Sequence, residues 1–235
     1  MNEILLIASL VLIYGSVILF YRFFGREGLY CFNALVTVLA NIEVLLIIDA
    51  FHMEMTLGNV LFASTFLVTD ILSENHGKKA ANRAVILGVL SSAFFIVISQ
   101  MWLRYIPSDS DWAMEAFQTI FSNTPRLVFA SLIVYAITQA GDVWLYHWWW
   151  AWTEKRLGDA RKGLWLRNNG STLISQFCNS LLYTFFAFYG SYTLDTLMSI
   201  VLSSYVIFIV TSLLDTPVVY LCRKIHEKQK KETVL

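Results

Sequence analysis

Asp70 and Glu74 stand four residues apart in FLVTDILSENHGKKAANRAV (66–85), immediately after the apolar run LGNVLFASTFLV (57–68). Four residues is about one helical turn, so both carboxylates lie on one helix face. Gln139 and Asp142 stand three apart in YAITQAGDVW, and Ser171, Gln176 and Asn179 share GSTLISQFCNSLLYTFF. Asp215 lies just before Pro217 in SLLDTPVVYL, where a helix break would free backbone carbonyls, and Asn41 lies in VLANIEVLLIID. Every one of these sets is embedded in an apolar stretch. A carboxylate deep in a membrane span costs roughly 2.5–3.5 kcal/mol on insertion scales, so such residues turn toward a bundle interior or a wet cavity. A single polar residue per helix would act as packing glue, worth about 0.6 kcal/mol. Five helices each presenting carboxylates or amides point instead to a shared polar cavity. Amides offer a donor and an acceptor side by side, suited to the edge of a flat heterocycle; carboxylates accept from amino groups or cations. Glu74 has a second reading, an ion pair with Lys78 one turn on.

Other chemistries lack their residues. The sequence has no phosphate-binding glycine loop, nucleophile elbow or metal-ligand pair. Cys31, Cys178 and Cys222 are scattered without CxxC spacing, inside or at the ends of apolar runs, and read as buried thiols. His52, His76, His147 and His226 are isolated. The chain is therefore not expected to be an enzyme, and no cofactor or metal is expected. A path for a small molecule through a membrane fits better.

The elements that must position these residues are membrane spans. The chain has 235 residues, of which 57% are hydrophobic and 14% charged; a soluble domain carries about 25% charged residues. Net charge is zero, which removes any general attraction to nucleic acid. A span takes about 20 mostly apolar residues. Seven segments qualify: 4–21, 29–51, 57–74, 84–106, 126–150, 171–190 and 194–222. The first follows MNE with neither a basic region nor a cleavage site, and is expected to be a retained helix. The links alternate between basic (RFFGREG, ENHGKKAANR, TEKRLGDARKGLWLR and the tail RKIHEKQKK) and non-basic (HMEMT, PSDSDWAME, SYT). The positive-inside rule then places the amino terminus outside and the carboxyl terminus in the cytoplasm. Trp144, Trp148, Trp149, Trp150 and Trp152 read as an aromatic belt at the cytoplasmic interface. Without the first segment, the other six split into two triples. STFLVTD (64–70) and STLISQF (171–177) lie in the middle helices, which run in opposite directions as in inverted-repeat transporters.

The stretch TDILSENHGKKAANR resembles the signature of the bacterial queuosine precursor transporter family, also called the vitamin uptake transporter family: TD-[IL]-x-x-E-x-x-G-x-x-x-A-x-R. ANI in segment two, SLxxYxxxQxxD between Arg126 and Asp142, STLISQFCNSLLYTFFAF and LLDTPVVY fit as well, so the resemblance covers about 29–222. It implies an all-α polytopic fold: a six-helix core over 29–222, an extra amino-terminal helix with its link over 1–28, and a basic tail over 223–235. It also implies import of 7-deazaguanine precursors of a tRNA nucleoside, such as the nitrile base, the aminomethyl base or queuine. The substrate-binding set is then Asn41, Asp70, Glu74, Arg126, Gln139, Asp142, Ser171, Gln176, Asn179 and Asp215. Arg126 has an alternative role as a snorkelling residue at the outer interface.

The sequence departs from the family pattern at Asn179, where relatives generally carry Asp, and in YVIFIVT (205–211), where a lysine is often found. The expected partners are a deazapurine and membrane lipid in a bacterial inner membrane, with a homodimer left open and no nucleic acid. Two other readings stay open. One is the substrate-binding component of an energy-coupling-factor importer, for which AITQA (136–140) is the only intramembrane small-residue docking pattern. The other is a non-transporting assembly factor.

Overall fold

A computed structural model of the chain describes residues 1–122, 125–159 and 162–234, without the side chains of 54, 122, 125–128, 233 and 234. The elements run α1 (Asn2–Glu43), β1 (Ile47–Ala50), β2 (Met53–Thr56), α2 (Gly58–His76), α3 (Lys78–Trp102), α4 (Met114–Ser122), α5 (Pro125–Leu157), α6 (Leu164–Phe188) and α7 (Leu194–Val234).

α1 is two helical arms joined at Gly25, whose φ of 59° and ψ of −139° suit only glycine. The arms fold back on one another. Phe20 and Phe32, which would lie about 18 Å apart along a straight helix, bring their rings to 5.5 Å. Segments one and two are these two arms. The first arm is also tied into the bundle, since the Tyr14 hydroxyl donates to the Thr211 carbonyl of α7 at 2.8 Å.

Segment two is shorter than expected. Its helix ends at Glu43, and the stretch to 51 forms half of a β-hairpin with Ile47 opposite Thr56 and Ala50 opposite Met53. β-Branched and apolar residues in alternation suit a strand, and the two-residue turn at Phe51 and His52 has φ of 53° and 62°, the positive values that hairpin turns require. Asn2 Nδ2 donates to the Asp49 carbonyl at 2.9 Å, so the amino terminus lies at the hairpin end of the bundle. The opposite end carries Gly25, Gly77, the α5–α6 link and the last turns of α7. There Gln229 donates to the Arg22 carbonyl at 3.0 Å.

Three helices, α1, α3 and α7, are long and apolar enough to cross a membrane by length and composition. They form the outside of the bundle and expose apolar rows, among them Ile86, Leu90, Phe94 and Val97 along α3. The polar helices lie inside. α2 is buried on every face between Ala63 and Ser73, packed by α1, α3, α5 and α7. α6 runs antiparallel to α2 and buries one polar face against α5 and α7.

Other expectations change in detail. α6 begins at Leu164, not 171, so Arg167 is helical and buried and does not belong to a basic link. α7 continues through Pro217 without a break and carries the basic tail as helix to Val234. α4 is a short helix laid against α3 by Trp102–Phe117 and Phe95–Phe121 ring contacts at 5.8 and 6.1 Å. Of the three cysteines only Cys222 is buried; Cys31 and Cys178 lie on the exposed faces of their helices. The tryptophans divide: Trp144, Trp148 and Trp152 are exposed as a belt would be, whereas Trp150 stacks on Arg167 at 4.3 Å.

Candidate functional site

The buried polar side chains stack in three levels along the bundle axis, because α2, α5, α6 and α7 each offer a polar group about once per turn. On α6 the row is Asn168, Thr172, Ser175, Gln176 and Asn179, the spacing of one helix face.

At the hairpin end lies a recess lined by the amides of Asn41, Asn59 and Asn179, the hydroxyls of Ser92 and Ser131, and the rings of Phe62, Tyr135 and Tyr183. Asn41 is held from two helices: its Nδ2 donates to Ser92 Oγ at 3.0 Å, and Ser131 Oγ donates to its Oδ1 at 3.2 Å. Tyr135 is set by Asn33, whose Nδ2 reaches its hydroxyl at 3.3 Å and the Ala84 carbonyl at 2.9 Å. Phe62 meets Tyr135 edge-on at 5.8 Å. These contacts leave aromatic faces and amide edges toward the open space.

At mid-depth Gln139 is bracketed by α2. Its Nε2 donates to Thr65 Oγ1 at 2.6 Å, and its Oε1 accepts from Thr69 Oγ1 at 3.2 Å. One turn deeper Asp70 and Asp142 come within hydrogen-bonding reach of each other. Thr172 Oγ1 donates to Asp70 Oδ2 at 2.9 Å, while Asp70 Oδ1 and both oxygens of Asp142 have no hydrogen-bond partner. Ser171 and Ser175 stand close to Asp142. Asp215 of α7 also faces the pair and accepts from Asn168 Nδ2 at 3.0 Å.

At the tail end Glu74 is held by three helices. Arg167 of α6 reaches both its oxygens at 2.9 and 2.8 Å, Arg223 of α7 approaches at 3.1 Å, and the Tyr146 hydroxyl of α5 donates at 2.7 Å. Arg167 itself is fully buried and also donates to the Lys162 carbonyl at 2.8 Å. Lys78 is not the partner; the interhelical guanidinium groups are. The knot thus ties α2, α5, α6 and α7 together at this end of the bundle.

The residues singled out from sequence thus separate. Asn41 and Asn179 line the cavity. Gln139, Asp70, Asp142, Ser171 and Gln176 lie beneath it in the interior, Asp215 is paired with Asn168, and Glu74 belongs to the ion-pair knot. The side chain of Arg126 lies outside the described residues. Sequence reasoning missed Arg167, Asn168, Tyr146, Asn59 and Tyr183, and met Tyr135 only as the Y of SLxxYxxxQxxD, without a role. Extending the four-residue spacing of Thr172 and Gln176 back one turn to Asn168 would have found the start of the α6 row.

Each position of the TD…E…G…A…R stretch has a structural task. Thr69 holds Gln139, Asp70 meets Asp142, and Glu74 ties three helices. Gly77, with φ of 80°, joins α2 to α3 in a single residue. Ala81 is fully buried, and the Arg83 guanidinium lies over the Tyr30 ring at 5.4 Å.

Residues 56–222 match the family model described as "Putative vitamin uptake transporter". The chain is 35% identical over 217 residues to a Bacillus subtilis protein named "Probable queuosine precursor transporter", covering 92% of this chain and 93% of that one. It is 28% identical over 170 residues, 72% of each chain, to the "Queuosine precursor transporter" of Escherichia coli. No solved structure matches the chain significantly. With a polar interior inside an apolar shell and the family match across most of its length, the chain belongs to the vitamin uptake transporter family and is an all-α membrane transporter.

Proposed function

We propose that this transporter imports 7-deazaguanine precursors of queuosine, and that the substrate sits in the hairpin-end cavity. The observation that carries the reading is the lining: three amides and three aromatic rings converge on one recess between the helices, the mix of aromatic walls and a few placed polar groups that small-molecule sites show. A flat deazaguanine presents donors and acceptors along its edges, which the amides of Asn41, Asn59 and Asn179 match, and a π-face, which the rings of Phe62, Tyr135 and Tyr183 match. The names borne by the Bacillus and Escherichia relatives point to the same substrate class. In this reading Asn179, an amide where the family pattern generally has Asp, keeps the cavity neutral, which favours the uncharged nitrile base over the cationic aminomethyl base.

The chain crosses the membrane seven times, through the two arms of α1 and through α2, α3, α5, α6 and α7. The hairpin end faces outside and the tail end the cytoplasm, where the basic links and the α7 extension meet anionic lipid. Apolar rows on α1, α3 and α7 face the acyl chains. Substrate enters from outside, and the Glu74 knot closes the path inward.

Thermal unfolding of the purified protein with the nitrile base, the aminomethyl base and queuine tests the substrate. A ligand at a hundred times its Kd stabilises by about 2.7 kcal/mol. Asn41→Ala should abolish that shift. If no deazapurine raises the melting temperature of the wild type, the substrate assignment is wrong.

A further inference from the structure

We propose that Asp70 and Asp142 form a binding site for one monovalent cation, a proton or Na⁺, that drives uptake and is distinct from the substrate cavity. Among the described residues, three fully buried carboxylates occupy the interior (Asp70, Asp142 and Asp215), and the one fully buried base is Arg167. Arg167 is committed to Glu74. Burying unpaired ions is costly, so the excess negative charge calls for a proton or a cation.

The geometry locates it. Two ionised carboxylates have no hydrogen to share, so a pair in mutual reach is satisfied only when something positive lies between them. Three of the four oxygens of the pair have no partner. Neutral side chains that also have none lie on the neighbouring face of α6. Ser175 Oγ, on a buried residue beside Asp142, is unpartnered. Gln176, fully buried and one turn from Thr172 on the same face of α6, has both amide atoms unpartnered. Thr172 fixes the adjoining Asp70 oxygen. Two carboxylates with hydroxyl oxygens beside them suit a small hard cation. No group of three His, Cys, Asp or Glu side chains that could hold a metal converges among the described residues, which leaves the pair as the charge of the site.

Other charged and titratable groups facing the pair are Asp215 from α7 and, toward the tail end, Tyr146 of α5 with the Glu74–Arg167 pair. Gln139, one turn outward of Asp142, and its two threonines form a neutral floor between the pair and the cavity. The coupling of cation to uptake rests on the transport reading above; the binding of the cation does not.

The test is thermal unfolding of the full-length protein in detergent, with wild type compared with Asp142→Asn and Asp70→Asn. A cation bound by the folded protein and absent from the unfolded chain stabilises the fold. If the cation is a proton, folding takes one up, and the wild-type melting temperature falls as pH rises. If it is Na⁺, adding NaCl in place of choline chloride at alkaline pH raises it. Either variant should lose the pH-linked or Na⁺-linked difference. Should one variant fail to fold, the other carries the comparison; should both fail, the Na⁺ and pH response of the wild type with Ser175→Ala decides, since that variant removes a neutral donor and should weaken the response. Asn41→Ala should lose stabilisation by deazapurine and keep the cation response, which separates the two sites. A wild type indifferent to both cations, or variants that respond as the wild type does, would overturn the proposal. Loss of the deazapurine effect alone would count against the substrate assignment and leave the cation site standing.

Discussion

At the scale of single residues, Arg167 sets the clearest expectation. Its Nη2 donates to both oxygens of Glu74, its Nη1 donates to the Lys162 carbonyl, and its guanidinium lies on the Trp150 ring. Removing one member of a buried pair leaves an uncompensated charge and costs about 3–5 kcal/mol. Arg223 remains to offset part of that, so Arg167→Ala should fall at the low end, read as a drop in the melting temperature. Arg167→Lys should not restore it, because a single ammonium lacks the second, rigidly placed nitrogen that holds the Lys162 carbonyl and the planar face that stacks on indole. Gly88 makes a second case. A methyl at this position would collide with the Tyr135 hydroxyl, and the Tyr135 ring lines the cavity. Overpacking costs about 1–3 kcal/mol, so Gly88→Ala should lower the melting temperature and weaken deazapurine stabilisation together. The two residues differ in how far the sequence foretells them. Gly88 is one glycine in an apolar run, with nothing local to mark it. Arg167 sits among link charges and reads as one of them, since periodicity alone does not show that a helix starts three residues before it.

At the scale of elements, helices with both long apolar runs and a polar row are legible in the sequence: α2, α5 and α6 follow from Asp70, Gln139 and Asp142, and Gln176 with Asn179. What escapes is set by tertiary contact. The hairpin at 47–56 continues an apolar segment with no change in composition, and its turn at Phe51 and His52 lacks the Asn-Gly signal. Pro217 suggests a break, yet α7 runs through it because helix breaks at proline can be bridged in a packed bundle. The carboxyl-terminal turns of α7 also make a pH-sensitive contact. His226 meets His76 of α2 with ring centres 4.9 Å apart. Burial first, then Lys230, holds the His226 pKa below the ordinary value, with Glu227 opposing. A depressed histidine costs nothing while both folded and unfolded forms are neutral. Stability is therefore full above about pH 6.5, the ordinary histidine value, and is lost as pH falls below it. Tryptic cleavage near Lys228 and Lys230 should accelerate on acidification. His76 is held lower still, at about 4, by burial first and then by His226, so His226→Gln combined with His76→Gln should flatten that dependence, and an unchanged profile in the double variant would mean that the contact does not hold the helix.

At the scale of the whole molecule, the two ends of the bundle differ in charge and in which chain terminus they carry, and these differences favour one orientation. The amino terminus bonds to the β-hairpin through Asn2 and Asp49, and the same end carries the cavity and the short α6–α7 link. The other end holds the basic link between α5 and α6, the Glu74 knot and the α7 extension, which bonds back to Arg22 at the turn of α1. Basic residues are retained on the cytoplasmic side because moving them across during insertion is unfavourable, so the tail end should face inward and the cavity outward. Ser191 and Gly158 report on the two ends: Ser191 lies in the exposed α6–α7 link and Gly158 in the exposed α5–α6 link. In a chain whose exposed Cys31 and Cys178 have first been replaced by Ser, a single cysteine at Ser191 should react with a membrane-impermeant maleimide added to intact cells. One at Gly158 should react only after the cells are opened. α6 alone separates the two positions, so opposite labelling means that α6 spans the membrane. Reaction at Gly158 and not at Ser191 would invert the molecule, turning the cavity toward the cytoplasm and making the Glu74 knot an outer closure. Reaction at both from outside would mean that α6 does not cross at all, and the buried polar row it shares with α2 and α5 would then need a different explanation.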